Sequence, residues 1–276
     1  MTRFIVDSYP RSYGRVMKIL TTALLLLAGG AAYASQPLET ETARLLPAGI
    51  FKIELTGEYQ RSGDGTERAV PLVFEYGLSP RTEIAIEPVF ANSIRPKSGK
   101  TANGIGDVEI TVTHLLLPEA GSAPAFAVAG EVKLPTAKNR QIGTGKTDVT
   151  AWAIASKRFG RLDVHGNLGY TVVGRPAGTR LKNVFSYAVA EELHVSPRFD
   201  VVGELIGNTS STGDNAEGTG AGTPVISSEA PSGETSLMAG MRWHISRDVF
   251  VSMGLSYDNN HALLIRPGVT WRFGGR

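Results

Sequence analysis

The run Phe51-Lys52-Ile53-Glu54-Leu55-Thr56-Gly57-Glu58-Tyr59 decides the fold. Its odd positions are apolar, aromatic or glycine, and its even positions are Lys, Glu, Thr and Glu. Successive side chains of an extended strand point to opposite faces, so this period of two gives one oily face and one charged face. The same alternation recurs near 69–77 (Val70, Leu72, Phe74, Tyr76), 82–90 (Ile84, Ile86), 107–116 (Val108, Ile110, Val112) and 125–134 (Phe126, Val128, Val132, Leu134). It returns near 162–173, 183–193, 199–208, 235–245, 249–258 and 262–273. In 148–158, Val149, Ala151, Ala153 and Ala155 alternate with Thr150, Trp152, Ile154 and Ser156, which leaves the facing of that strand open. About twelve strands are expected, an even number.

The connections choose among all-β architectures. Odd-numbered connections (60–67, 91–104, 135–148, 174–183 and 209–234) are long and polar, except the short last one at Asp258-Asn259-Asn260-His261. Most even-numbered ones are tight, including Leu78-Ser79-Pro80-Arg81, Arg158-Phe159-Gly160-Arg161, Val195-Ser196-Pro197-Arg198 and Ser246-Arg247-Asp248. Tight turns on one rim, long loops on the other and both termini on the tight side describe a transmembrane antiparallel up-and-down β-barrel in a bacterial outer membrane. Lipid requires the closure, because an open sheet edge would leave unpaired backbone groups in hydrocarbon. Outward aromatics sort to the strand ends as two girdles: Phe51, Tyr76, Phe199, Trp243, Trp271 and Phe273 at the periplasmic rim, and Tyr59, Phe90, Tyr170 and Tyr257 at the outer rim. In the last strand, Gly268 followed by Trp271 and Phe273 resembles the assembly signal of such barrels, with Pro267 and the trailing Gly274-Gly275-Arg276 as departures. The partners this implies are outer-membrane lipids, the barrel assembly machinery and a small-molecule solute.

The amino-terminal region reads as an export signal. Lys18 precedes the apolar run Ile19–Ala28, and Ala32-Tyr33-Ala34 is a small-x-small cleavage site, so cleavage after Ala34 is expected. Met17 is an alternative start. The expected organisation is an extension and signal peptide over 1–34 and a single barrel domain over 35–276. Composition agrees with export and excludes other classes. With no Cys in 276 residues there is no disulfide framework and no lipoprotein anchor, and a mean hydropathy of -0.05 argues against a helical membrane protein. The formal charge of +2 comes from the leader, where Arg3, Arg11, Arg15 and Lys18 stand against Asp7. Residues 35–276 net to -1, so no nucleic-acid footprint remains.

Several short motifs fall short of the chemistry they suggest. Gly143-Thr144-Gly145-Lys146-Thr147 contains Gly-Lys-Thr, but Arg140 stands where a phosphate loop needs its first glycine and a strand follows instead of a helix. Gly104-Ile105-Gly106-Asp107 lacks the third glycine of a dinucleotide fingerprint and leads into a strand. The five histidines show no metal-ligand spacing, so no metal or cofactor is expected. His114 and the inward Ser252 and Ser256 are the raw material of a hydrolase, yet the sequence brings no such pair together, and no catalytic residue is assigned.

Inward charges are the candidate selectivity residues. By parity Glu54, Glu58, Glu75, Glu83, Glu87, Asp107, Glu109, Glu131, Asp163, Asp200 and Glu204 face the lumen, against Lys52, Lys133, Arg242, Arg266 and Arg272. They form either a conducting, cation-favouring wall or a cross-lumen network that plugs the barrel.

Gly104-Ile105-Gly106-Asp107, Lys133-Leu134-Pro135-Thr136, Gly143–Asp148 and Arg266-Pro267-Gly268-Val269-Thr270-Trp271-Arg272-Phe273, in this order and spacing, resemble the transporter-like outer-membrane family named for the MetA pathway of phenol degradation. The resemblance runs from about residue 50 to the end. It implies a barrel of this size and passage of small, aromatic or hydrophobic compounds, and it offers no family binding residues to carry over. The function expected is a passive channel or transporter. The alternatives are a structural or surface-binding barrel that uses the 209–234 loop, and a membrane-embedded hydrolase or lipid-modifying enzyme.

Overall fold

A computed structural model describes residues 36–211 and 233–274. The expected leader and its cleavage point at Ala34, and most of the 209–234 loop, lie outside the described residues. No helix occurs among those described. Fourteen extended runs form one sheet that closes on itself as twelve antiparallel staves. The first stave, β1, is Phe51–Thr56 continued by Glu58–Arg61, interrupted at Gly57, whose amide donates to the carbonyl of Pro267 at 2.9 Å. Next come β2 (Gly65–Ser79), β3 (Thr82–Pro96), β4 (Val108–Leu117, preceded by the short arm Ala102–Gly104), β5 (Ala125–Leu134) and β6 (Asp148–Phe159). The remaining staves are β7 (Leu162–Val172), β8 (Val184–Ser196), β9 (Phe199–Asn208), β10 (Thr235–His244), β11 (Val249–Asp258) and β12 (Leu263–Phe273). Closure is between β1 and β12, in register from Phe51 opposite Phe273 to Thr56 opposite Gly268 and again at Tyr59 opposite Ile265.

The period-two pattern sorts as closure requires. On β1, Lys52, Thr56, Glu58 and Gln60 are buried towards the lumen, while Leu55 is exposed on the outer wall. Leu237 (66% exposed), Leu168, Leu205 and Leu255 continue that wall, an apolar belt that only hydrocarbon satisfies. On β6, Asp148, Thr150, Ile154 and Ser156 are buried inward, and Val149, Ala151 and Ala153 face out. Alanine on the lipid side had hidden that facing, because a methyl group barely distinguishes two environments. Exposed Tyr76, Trp243 and Phe273 ring the tight-turn rim, with the Phe199 and Trp243 rings packed edge-on at 6.1 Å, and exposed Phe90, Tyr170 and Tyr257 ring the other.

The hairpins on the long-loop side are longer than the alternation showed. β2 and β3 each run 15 residues, so the stretch expected as a loop over 60–67 is strand except for a tight turn, and most of 91–104 is strand. Their ladder shifts register between Val70 and Pro71, where the proline supplies no donor. The loop after β5 folds inward over the same rim: Ile142 is buried with Ile94, Ala102 and Ala137. Beside it Lys133 ion-pairs with Asp148, and Asp107 accepts from the amide of Ala137 at 2.9 Å.

Two outcomes are expected of this fold. Folded protein should migrate differently in SDS before and after boiling. Leu55→Arg should impair membrane insertion far more than its neighbour Thr56→Arg, because a cation on the lipid face costs ~2–4 kcal/mol near the midplane. Heat-modifiable mobility measured across both variants checks both.

Candidate functional site: the barrel lumen and its inward-folded segment

The lumen is not an empty tube. Residues 36–46, immediately before β1, fold into it, an arrangement that strand periodicity does not reveal. At one end of this segment Arg242 donates to the carbonyl of Gln36. At mid-barrel the Glu204 carboxylate accepts from the amides of Leu38 (2.5 Å) and Thr40 (3.1 Å) and from the Thr40 hydroxyl (3.0 Å). Arg266 donates to the Leu38 carbonyl at 2.9 Å and pairs with Glu39 at 3.1 Å. The Asn167 amide, in the orientation that satisfies both its ends, accepts from the Glu41 amide (2.7 Å) and donates to the Glu41 carbonyl (3.1 Å).

The segment then returns to the tight-turn rim. The Ala43 amide donates to Ser156 at 2.8 Å, Arg44 pairs with Asp163 (2.8 Å) and Glu119 (2.9 Å), and the Leu46 amide donates to Glu83 at 2.7 Å. The wall thus satisfies backbone groups that have no ladder of their own, as buried backbone requires.

Each residue expected at the lumen has a definite place. Asp163, Arg242, Glu83 and Arg266 hold the segment. Glu58 pairs with Arg266 at 3.3 Å, and Lys52, buried, pairs with Glu75. Asp107 and Lys133 brace the long-loop rim. Arg272 lies over the Phe250 ring at 5.7 Å, with Arg242 over the same ring at 5.6 Å. Glu54, Glu87, Glu109 and Glu131 line a cavity of 290 Å³ above the segment. Gly268 faces inward, where a Cβ would stand 2.4 Å from the Ser252 hydroxyl, so a larger residue there requires Ser252 to turn away. Trp271 and Phe273 follow on the outward parity.

Glu192 was missed. It is buried and ion-paired with the wholly buried Arg242, yet its neighbour Glu191 is exposed on the other face, so charge on both parities masks the pattern. With His194 and Asp200 it forms the one grouping of possible metal ligands found among the described residues. Protein side chains already occupy that grouping. Arg242 sits on Glu192, and Asp200 accepts from His194 (2.8 Å) and His244 (2.6 Å), so it acts as an ion-pair cluster. Ser156 and His165 approach to 2.8 Å, a contact of hydrolase type among the described residues. Both are buried, Ser156 also accepts from Ala43, and the second ring nitrogen of His165 has no partner, so no third group orients the base. His114 lies on the outer wall, hydrogen-bonded to Thr82 at 3.0 Å.

Outside the strands, Glu119 and Glu41 carry shifted acidities. At Glu119 burial opposes ionisation, but hydrogen bonds from Lys157, Arg44 and the Arg158 amide outweigh it and hold the carboxyl down at about 2. Burial pushes the Glu41 carboxyl up to about 8, with the negative charges of Glu75 and Glu83 adding to it and Lys52 opposing. The docked segment therefore retains a proton that a free carboxyl releases above its ordinary 4.5. Docking is strongest below that value, weakens as pH rises towards about 8 and then levels. Channel conductance should accordingly rise between about pH 5 and about pH 9, and Glu41→Gln should flatten that rise. Glu204→Gln, which turns amide protons towards the donors of Leu38 and Thr40, should release the segment. The expected sign is a larger single-channel conductance and faster proteolysis within 36–50, since each buried group left unpaired costs about 1–3 kcal/mol.

The architecture matches solved outer-membrane channels. An outer membrane channel from Pseudomonas putida F1 superposes with a TM-score of 0.62 at 11% identity, covering 90% of this chain and 100% of that one. The NanC porin superposes at 0.57 with 13% identity (79% and 98% covered), and the KdgM porin in complex with oligogalacturonate at 0.54 with 10% identity (81% and 99% covered). At these identities the likeness is one of fold. No curated protein matches the chain. The family model described as "Putative MetA-pathway of phenol degradation" matches residues 34–262, from the approach to the inward-folded segment as far as the start of the last stave, and the chain belongs to that family.

Proposed function

We propose that this protein is a passive outer-membrane channel for small molecules that favours cations, with residues 36–46 forming the floor that narrows it. One observation carries the reading. Above that floor the lumen is a cavity reaching the outer strand ends, and one aspartate and ten glutamates, of which Glu41 retains its proton, line it against a single arginine, Arg266. A narrow, low-dielectric wall focuses the field of such charges and raises the local concentration of counter-ions. Some of the acids are matched by buried bases, Glu75 by Lys52 and Glu58 by Arg266, and the remainder still exceed them. Oligogalacturonate, the ligand of the KdgM porin, is polyanionic, and this wall carries the wrong sign for such a cargo. The leader over 1–34 directs export, residues 35–276 make one barrel domain, and the last strand, with outward Trp271 and Phe273, is what the assembly machinery reads.

Reversal potentials across planar bilayers should show cation preference. It should weaken with salt as the Debye length falls from ~10 Å at 0.1 M to ~3 Å at 1 M. Glu83→Gln, Glu87→Gln and Glu109→Gln together should reduce it further, because β3 and β4 place these groups on one wall. Anion preference would sink the charge argument, and a lack of any conductance would make the barrel a structural one.

A further inference from the structure

The outer wall of the barrel carries a basic patch. At the long-loop rim two cross-strand rows run over β1, β2 and β3. Arg61, Thr66 and Arg95 stand side by side in the upper row, and Tyr59, Arg68 and Ser93 in the lower, with Asn103 of the arm before β4 next to Ser93. Residues paired across strands share a face, so the three arginines lie on one surface. It is the outward one: all three are exposed, and Leu263 and Ile265 of β12, exposed as well, continue the two rows. Strands ~4.8 Å apart and alternate residues ~7 Å apart put the three Cα atoms within about 10 Å of one another. Among the described residues none of these arginines ion-pairs with an acid, and Arg68 lies over the Tyr59 ring at 5.5 Å. Glu67 has the inward parity, opposite the buried Ile94, and Asp64 stands in the turn above. Like charges side by side on a sheet repel, and an anion laid across them removes that cost.

We propose that this patch binds a phosphorylated glycolipid of the outer leaflet, with a phosphate held by Arg61, Arg68 and Arg95, the saccharide against Ser93 and Asn103, and the acyl chains along the apolar wall beneath. Three features select that ligand. Arginine presents a planar fork that grips a phosphate through two parallel bonds, and its charge does not titrate away. The neutral donors and acceptors of Thr66, Ser93 and Asn103 lie in the same rows, where they match sugar hydroxyls. The lipid-facing wall begins just below, with exposed Val70 and Phe90, so the ligand must carry hydrocarbon under its charge, which a soluble anion does not. The patch lies across the sheet from the lumen, so it does not depend on what the channel passes.

The test is titration of the refolded full chain in detergent with bisphosphorylated lipid A, the same lipid dephosphorylated, and phosphatidylglycerol. Binding is read by native mass spectrometry and by the unfolding temperature, which a ligand of the folded state raises. Saturable binding of bisphosphorylated lipid A is expected, about tenfold or more tighter than that of either other lipid. Arg61→Gln, Arg68→Gln and Arg95→Gln together should weaken it about tenfold or more, and Arg68→Lys, which keeps the charge and loses the fork, should weaken it less. Lys138→Gln, Arg140→Gln and Lys146→Gln together remove as many charges from an exposed loop on the same rim and should leave it unchanged. Heat-modifiable mobility confirms that each variant folds, and Arg68→Lys alone carries the test if the triple variant does not. Equal binding of the dephosphorylated lipid or of phosphatidylglycerol overturns the proposal. So does an equal loss in the loop variant, which would make the attraction a diffuse property of the rim.

Discussion

Everything in this molecule follows from the requirement that backbone N–H and C=O groups be paired where no water can reach them. For strands in hydrocarbon that means a closed sheet, which the ladder between β1 and β12 completes. Closure assigns the two parities of each strand to lipid and lumen. One set must be apolar, and the other is free to be charged. Glu, Lys and Arg therefore gather inside a narrow tube, where each must find partners.

The inward-folded segment answers both demands at once. Its amides and carbonyls need partners, and the lumen is rich in carboxylates and guanidinium groups that also need them. Glu204 with Leu38 and Thr40, Arg242 with Gln36 and Arg266 with Leu38 are exchanges of this kind, between a wall charge and backbone that has no ladder. The segment is held mainly by polar bonds, with Leu38 packing against Val202 and Met238 and Ala43 against Ala125, Ala127, Ala129 and Ile154. Such an attachment responds to charge and pH, as the raised pKa of Glu41 illustrates. A hydrophobic plug would not.

Above that floor the acids on β1 to β5 outnumber the cations that could neutralise them, so the two ends of the lumen differ in character. The tight-turn rim is an ion-pair network, in which Asp163, Asp200, Glu192, His194, His244 and Arg242 contact one another. The upper cavity keeps an excess of negative charge and an unmatched Ser186. The paired charges and the acidic cavity are thus separated by height along the barrel.

Strand number, membrane location, the closing of the sheet and the inward parity of Glu54, Glu58, Glu83, Glu87, Glu109, Glu131 and Arg266 were legible in the sequence. Each follows from a local period of two and from turn composition, and lipid admits a single way to complete the pattern. Three things were not legible. The facing of β6 was hidden because alanine suits either side, and Glu192 was hidden because Glu191 put charge on both parities. The fold of residues 36–46 into the lumen was decided by tertiary structure alone. Its partners, Ser156, Glu204, Arg242 and Arg266, lie more than a hundred residues away, and only closure of the barrel brings them within hydrogen-bonding distance of a segment with no periodicity of its own.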